Sequence, residues 1–343
     1  MKTIEKFNKH IIPSYGRYPL VSEEGKNSKS IAEDGKEYID FGSGIGTNSL
    51  GYCDEEWVNA VCNQVKKIQH TSNYYYTKVQ ADFAAKLCEM TGYSKMFFGN
   101  SGAEANECAI KLARKYSFDK YGKGRHNIIT LVNSFHGRTL CTLSATGQEA
   151  LHNYFFPFVE GFVNVEANNI QDLLDKLDDT VCGVMIEFVQ GEGGVIPLDK
   201  AFVDEIFKEC KKKDILVIAD EVQTGAGRTG KLLTSEAYGV MPDVTTMAKG
   251  VAGGIPIGIC LANEECCDVL TAGTHGSTFG GNPIACAGGL AVLERVGSDG
   301  FLDEVVKKGD YFREKLGEIS EVQGIDGMGL MLGIRLKTLK ASD

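Results

Sequence analysis

The feature that most constrains this chain is the alternation, through its middle, of short apolar runs with longer amphipathic stretches. KMFFGN (95–100), NIITLVNSF (127–135), VCGVMIEFV (181–189), DILVIAD (214–220) and DVTTMAKG (243–250) have the length and near-continuous hydrophobicity of strands buried on both faces. Between them, AEANECAIKLARKYS (103–117) carries Ala105, Ala109, Leu112 and Ala113 on one helical stripe, and AFVDEIFKECKKK (201–213) reads as a second helix. Elements in this order predict an α/β fold with a mostly parallel sheet covered by helices. At roughly 100 to 200 residues per domain, 343 residues suit one large domain and one smaller one. The termini fit the alternation poorly, so the expected division is a large domain at 51–290 and a small α+β domain drawn from 1–50 and 291–343.

Composition narrows the function. No apolar run approaches the ~20 residues of a membrane span, and MKTIEKFNKHIIPSYGRYPL lacks the apolar core of a secretory signal, so a cytoplasmic protein is expected. With 46 acidic against 36 basic residues, the net charge of −10 argues against nucleic acid or an anionic membrane as the main partner. The 11 cysteines are odd in number, scattered and free of any CxxC pair, which reads as reduced thiols rather than a disulfide or zinc framework. The 41 glycines fall in clusters, and the clusters sit where the predicted strands end.

Ligands of an open α/β sheet bind outside the carboxyl ends of its strands, so those ends carry the chemistry. Asn100-Ser101-Gly102-Ala103 lies between a strand and a helix, where free N–H groups and the helix dipole favour an anion; the alternative is a simple helix cap. Asp220 closes an apolar run and needs a cationic partner, which a pyridinium nitrogen, a salt bridge or a metal would each supply. The neighbouring strand ends offer no His and Asp ligand set, and no metal is expected. Lys249 precedes the acid-free loop GVAGGIPIG; desolvation there favours a neutral amine able to form a Schiff base, whereas a snorkelling lysine would stay charged. Together the anion seat, acid and lysine match the phosphate, ring nitrogen and aldehyde of pyridoxal phosphate. Phe135 adds a flat face for a ring, although a strand-end Phe is by default core.

The strings FGNSGAEANECAIKLARK, SFHGRTL, EFVQGEGGV, IADEVQTGAGRTGK, MAKGVAGGIPIG and HGSTFGGNP resemble, in that order, the class III pyridoxal-phosphate aminotransferases. The resemblance spans about Tyr15 to Arg335, and YGRYPL, FGSGIGTNSLGY and FHGR look most like its acetylornithine branch, which serves arginine biosynthesis. It implies the type I aminotransferase fold, with a seven-stranded-type sheet, and a homodimer whose site lies at the interface. It implies that Lys249 bonds the cofactor and shuttles the substrate proton, while Asp220 keeps the ring nitrogen protonated. Ser101, Gly102 and Ala103 would take the phosphate, with Thr278 reaching it from the partner. Phe135 and Val222 would sandwich the ring, Gln223 would hold its 3-oxygen, and Glu221 stands within the same cofactor-binding string. Arg138 would bind a substrate carboxylate, Ser277 would touch substrate in the other subunit's site, and Glu192 resembles a glutamate that pairs with and releases an active-site arginine. The implied reaction moves an amino group from N-acetylornithine or a similar acylated diamino acid to 2-oxoglutarate.

The chain departs from the family at Phe188, where Pro is usual, and family members continue past the position of Asp343, supplying more of the small domain and a further arginine. Other class III activities, on 4-aminobutyrate or ornithine, remain alternatives, as does a weakly active cofactor-binding protein. Ile45, where ornithine enzymes have Tyr, argues against the ornithine type. A dinucleotide-binding protein is disfavoured because no GxGxxG opens a first βαβ unit.

Overall fold

The computed structural model describes residues 2–339. Strands β1 (Ser22–Lys26), β2 (Lys29–Ala32) and β3 (Glu37–Ile39) form an antiparallel sheet near the N-terminus. The central sheet has seven strands: β4 (Lys95–Gly99), β5 (Asn127–Leu131), β6 (Phe162–Val165), β7 (Val181–Ile186), β10 (Leu216–Asp220), β11 (Val244–Met247) and β12 (Gly258–Ala262). A short hairpin, β8 (Val189–Gln190) and β9 (Ile196–Pro197), follows β7, and β13 (Val322–Met328) pairs with β14 (Met331–Leu336).

The central order is β4-β12-β11-β10-β7-β5-β6, and only β12 runs against its neighbours. Every residue of β7, β10, β11 and β12 is buried, as strands covered on both faces must be. The expected mostly parallel sheet is therefore present. Two of its strands were not anticipated. The edge strand β6 is short, and β12 begins inside the stretch read as a glycine-rich loop. Gly258 makes β12 possible, because a Cβ there would sit 2.1 Å from the Ser101 carbonyl oxygen.

The Gly102–Tyr121 helix starts at Ser101, whose Oγ accepts the Glu104 N–H at 3.2 Å. Its alanine stripe lies on the sheet: a Cβ on Gly183 of β7 would approach Ala113 to 3.4 Å. The Lys200–Lys213 helix covers the other face through Phe202, Val203 and Ile206, which join the core with Phe188. Phe188, at the position where the family usually has Pro, is fully buried and stacks on Tyr238 at 4.9 Å between centroids.

The Pro283–Val296 helix runs through residue 290, and its Val292, Leu293 and Val296 share a core with Phe83 and Met247. The N- and C-terminal parts meet at Phe41 and Phe312, edge to face at 5.9 Å. Residues 340–343, the end of the segment assigned to the small domain, lie outside the described residues. All eleven cysteines are free thiols, and among the described residues no helix is long and apolar enough to cross a membrane.

Candidate active site

A cleft of about 320 Å³ opens at the carboxyl ends of β5, β7, β10 and β11. On one side the Gly102–Tyr121 helix presents its first turn, where unpaired N–H groups and the dipole make an anion seat. Gly102 is required there: a Cβ would lie 2.6 Å from Val222 Cγ1, so a side chain would fill the space between the seat and the Val222 face. Ser101, Gly102, Ala103 and Val222 all line this part of the cleft.

Asp220 ends β10 at the cleft floor, only 4% exposed. Its Oδ2 accepts from Asn106 Nδ2 at 2.8 Å and meets His136 Nδ1 at 2.8 Å, while Oδ1 accepts the Val222 N–H at 3.1 Å. Asn106 is itself fixed, accepting from Thr246 Oγ1 at 2.7 Å and donating to the His136 carbonyl at 2.8 Å. Burial works against a charged His136, but the hydrogen bond to Asp220 and the charges of Asp220 and Glu187 outweigh it and raise the imidazole's pKa. His136 Nε2 is buried with no partner among the described residues.

Lys249 follows β11 with φ +44°, a left-handed backbone that a side-chain-bearing residue adopts at a cost of roughly 1–2 kcal/mol. The strain turns the side chain into the cleft, and Ser49 Oγ anchors the next residue through the Gly250 carbonyl. Lys249 enters none of the ion pairs found among the described residues. Burial lowers its amine pKa, and the charges of Asp220, Glu192 and Glu187 oppose that only in part.

Phe135 lines the cleft, and Arg138 sits outside it with its guanidinium carbon 5.4 Å from the Phe135 ring centroid. Gln223 and Glu192 both line the cleft, with Gln223 Nε2 3.5 Å from Glu192 Oε1. Glu221 does not belong to it. Its carboxylate points away and accepts from Thr224 Oγ1, the Thr234 N–H and the Ser235 N–H, each at 2.8 Å. Successive residues at a strand end face opposite sides, so Asp220 and Glu221 cannot share one site. Ser277 and Thr278 line a second hollow across Asn100, whose Nδ2 donates to Ser277 Oγ at 3.1 Å. Within a single chain, neither joins the Lys249 cleft.

The sequence reading gave no role to Asn106, His136 or Glu187. Asn106 left a signal as a polar residue within the buried alanine face of its helix, and His136 and Glu187 as polar residues at the ends of apolar strands. Thr47 and the segment from Gly254 to Ile257 also line the cleft. Among the described residues there is no group of three or more His, Cys, Asp or Glu that could hold a metal.

The cleft thus brings together an anion seat, a buried carboxylate backed by His136, and a desolvated primary amine. This donor set fits pyridoxal phosphate on the structure's own terms, since a Cβ at Gly102 would block the seat and the lysine enters no ion pair among the described residues.

A family model described as aminotransferase class-III matches residues 12–342. An acetylornithine aminotransferase from Caldanaerobacter subterraneus subsp. tengcongensis is 48% identical over 347 residues, covering 100% of this chain and 88% of that protein. One from Haemophilus ducreyi is 47% identical over 326 residues, covering 95% of this chain and 83% of that protein. Among solved structures, the ornithine aminotransferase from Toxoplasma gondii ME49 superimposes with a TM-score of 0.93 at 31% identity, over 98% of this chain and 83% of that one.

Proposed function

Because the chain belongs to the class III aminotransferases, we propose that it moves the amino group of N-acetylornithine, or a similar acylated diamino acid, to 2-oxoglutarate with pyridoxal phosphate as cofactor. The observation that carries this reading is the convergence of the Gly102 seat, Asp220 and Lys249 on one cleft. The identity to acetylornithine aminotransferases over nearly the whole chain favours the acylated donor over free ornithine.

When bound, pyridoxal phosphate supplies an electron sink that lets an amino acid lose its α-proton. Gly102 and Ala103 donate backbone N–H groups to the phosphate, with Ser101 beside them. Asp220, held by Asn106 and His136, keeps a proton on the ring nitrogen through its negative charge. Phe135 and Val222 would hold the ring between them, and Gln223 would donate to its 3-oxygen. Lys249 would hold the cofactor and carry the proton from the substrate α-carbon to the cofactor's C4′ carbon; its lowered pKa leaves the amine free to do so. Arg138 offers a two-pronged guanidinium to a substrate carboxylate, and Glu192 would alternately pair with and release an active-site arginine.

In this reading the protein is a cytoplasmic homodimer serving arginine biosynthesis. Thr278 reaches the phosphate and Ser277 the substrate in the partner subunit's site, which accounts for their place on a separate hollow of this chain. Residues 51–290 form the cofactor-binding unit, and 1–50 with 291–343 the smaller one. Glutamate formed from 2-oxoglutarate across a panel of amino donors tests the assignment. N-acetylornithine should lead the panel. A tenfold preference for 4-aminobutyrate or ornithine would move the protein to another branch of the same class.

A further inference from the structure

Glu187 stands immediately after β7, lining the cleft and 6% exposed. Its Oε2 accepts the Phe135 N–H at 2.9 Å, and the Gly191 N–H faces the same carboxylate. These two amides belong to different segments. Phe135 begins the stretch that carries Arg138, while Gly191 begins the β8–β9 turn that carries Glu192. Nearby contacts join the segments further: Gln190 Nε2 donates to the Val132 carbonyl at 2.8 Å, and a Cβ on Gly193 would lie 2.9 Å from the Asn133 carbonyl oxygen. Gly191 is also pressed against Gln223, whose Oε1 lies 1.8 Å from where a Cβ would stand.

We infer that Glu187 is a positioning residue that ties residues 135–138 to residues 191–195, so that Arg138 and Glu192 move as one wall of the substrate site. The inference rests on the aminotransferase reading for the roles of Arg138 and Glu192, but the tie itself does not. A carboxyl that accepts the Phe135 N–H on Oε2 can turn its other oxygen to the Gly191 N–H. The charged groups around it are His136 from the Phe135 segment, Asp220 from β10 and Lys249 beyond β11. None donates the bonds that Phe135 and Gly191 supply. A neutral amide in its place keeps the volume and loses one of the two acceptors.

The test is amide hydrogen exchange by mass spectrometry on the cofactor-loaded protein, comparing wild type with Glu187→Gln. Both segments should lose protection together, each by about tenfold or more, while β7 and β10 keep theirs. The same variant should raise KM for the amino donor more than it lowers kcat, and it should weaken cofactor binding only through the loosened Phe135, since the anion seat, Asp220 and Lys249 lie on other elements. If the variant does not fold, Glu187→Asp takes its place: it keeps both oxygens but draws them back by one methylene, and both segments should again lose protection together. Loosening of one segment without the other, or of neither, overturns the inference. Coupled loosening in a protein that transaminates no donor would preserve the tie and remove the functional reading instead.

Discussion

His136 Nδ1 lies 2.8 Å from Asp220 Oδ2, and both side chains are shut away from water. A carboxylate so buried is held in one orientation, aimed by the protein at whatever enters the cleft. Its negative charge faces the imidazole behind it and would face the ring nitrogen of a bound cofactor in front. Asp220→Asn keeps the shape and removes the charge, so the ring nitrogen loses its proton and amino transfer should all but stop. Losing half of a buried pair typically costs about 3 to 5 kcal/mol, which visible-absorbance titration of the cofactor would register as weaker binding. Near-normal turnover would make Asp220 a structural residue only.

Arg138 is exposed and held by its stack on Phe135 rather than by an acid. Arg138→Lys therefore keeps a cation and the fold while losing the two-pronged grip on a carboxylate. We expect kcat/KM to fall about ten- to hundredfold, equivalent to ~1.5 to 3 kcal/mol, for N-acetylornithine and for 2-oxoglutarate alike. An effect confined to one substrate would assign the other carboxylate to a different residue.

Glu187 makes stability depend on pH. Burial, with the Asp220 charge adding to it, raises its pKa from 4.5 to about 7 against the opposing pull of His136 and the two amides. The folded protein thus binds this proton more tightly than the unfolded chain does. The resulting stabilisation is full below about pH 4.5 and is lost as pH rises through about 7. Glu187→Gln cannot titrate. Measured by denaturant unfolding, the variant should gain on wild type by up to about 3 kcal/mol between pH 4.5 and pH 8. A difference that stays flat across that range would mean the carboxyl is not held near neutrality.

How far the sequence discloses this molecule depends on where burial leaves a pattern. β7 and β10 are legible because burial on both faces demands unbroken apolar runs. β12 is not, because its first residue must be glycine to pass the Ser101 carbonyl, and glycine two residues after Pro256 reads as a turn. Asp220 and Lys249 are legible as charges that interrupt apolar runs. Glu221 looks equivalent to Asp220 in sequence, and only the alternation of a strand end separates them. Asn106 and His136 act through hydrogen bonds to Asp220 across 114 and 84 positions, a separation no local pattern encodes. The roles given to Arg138, Ser277 and Thr278 came from family resemblance alone, since nothing in their spacing marks them.

The most direct test concerns Lys249. The protein loaded with pyridoxal phosphate would be reduced with borohydride, digested and mapped by mass spectrometry. A single phosphopyridoxyl label on Lys249 is the predicted result, absent after prior incubation with N-acetylornithine, which takes the cofactor from the lysine. A label on another lysine, or none on a protein that still turns over, would contradict the account at its centre.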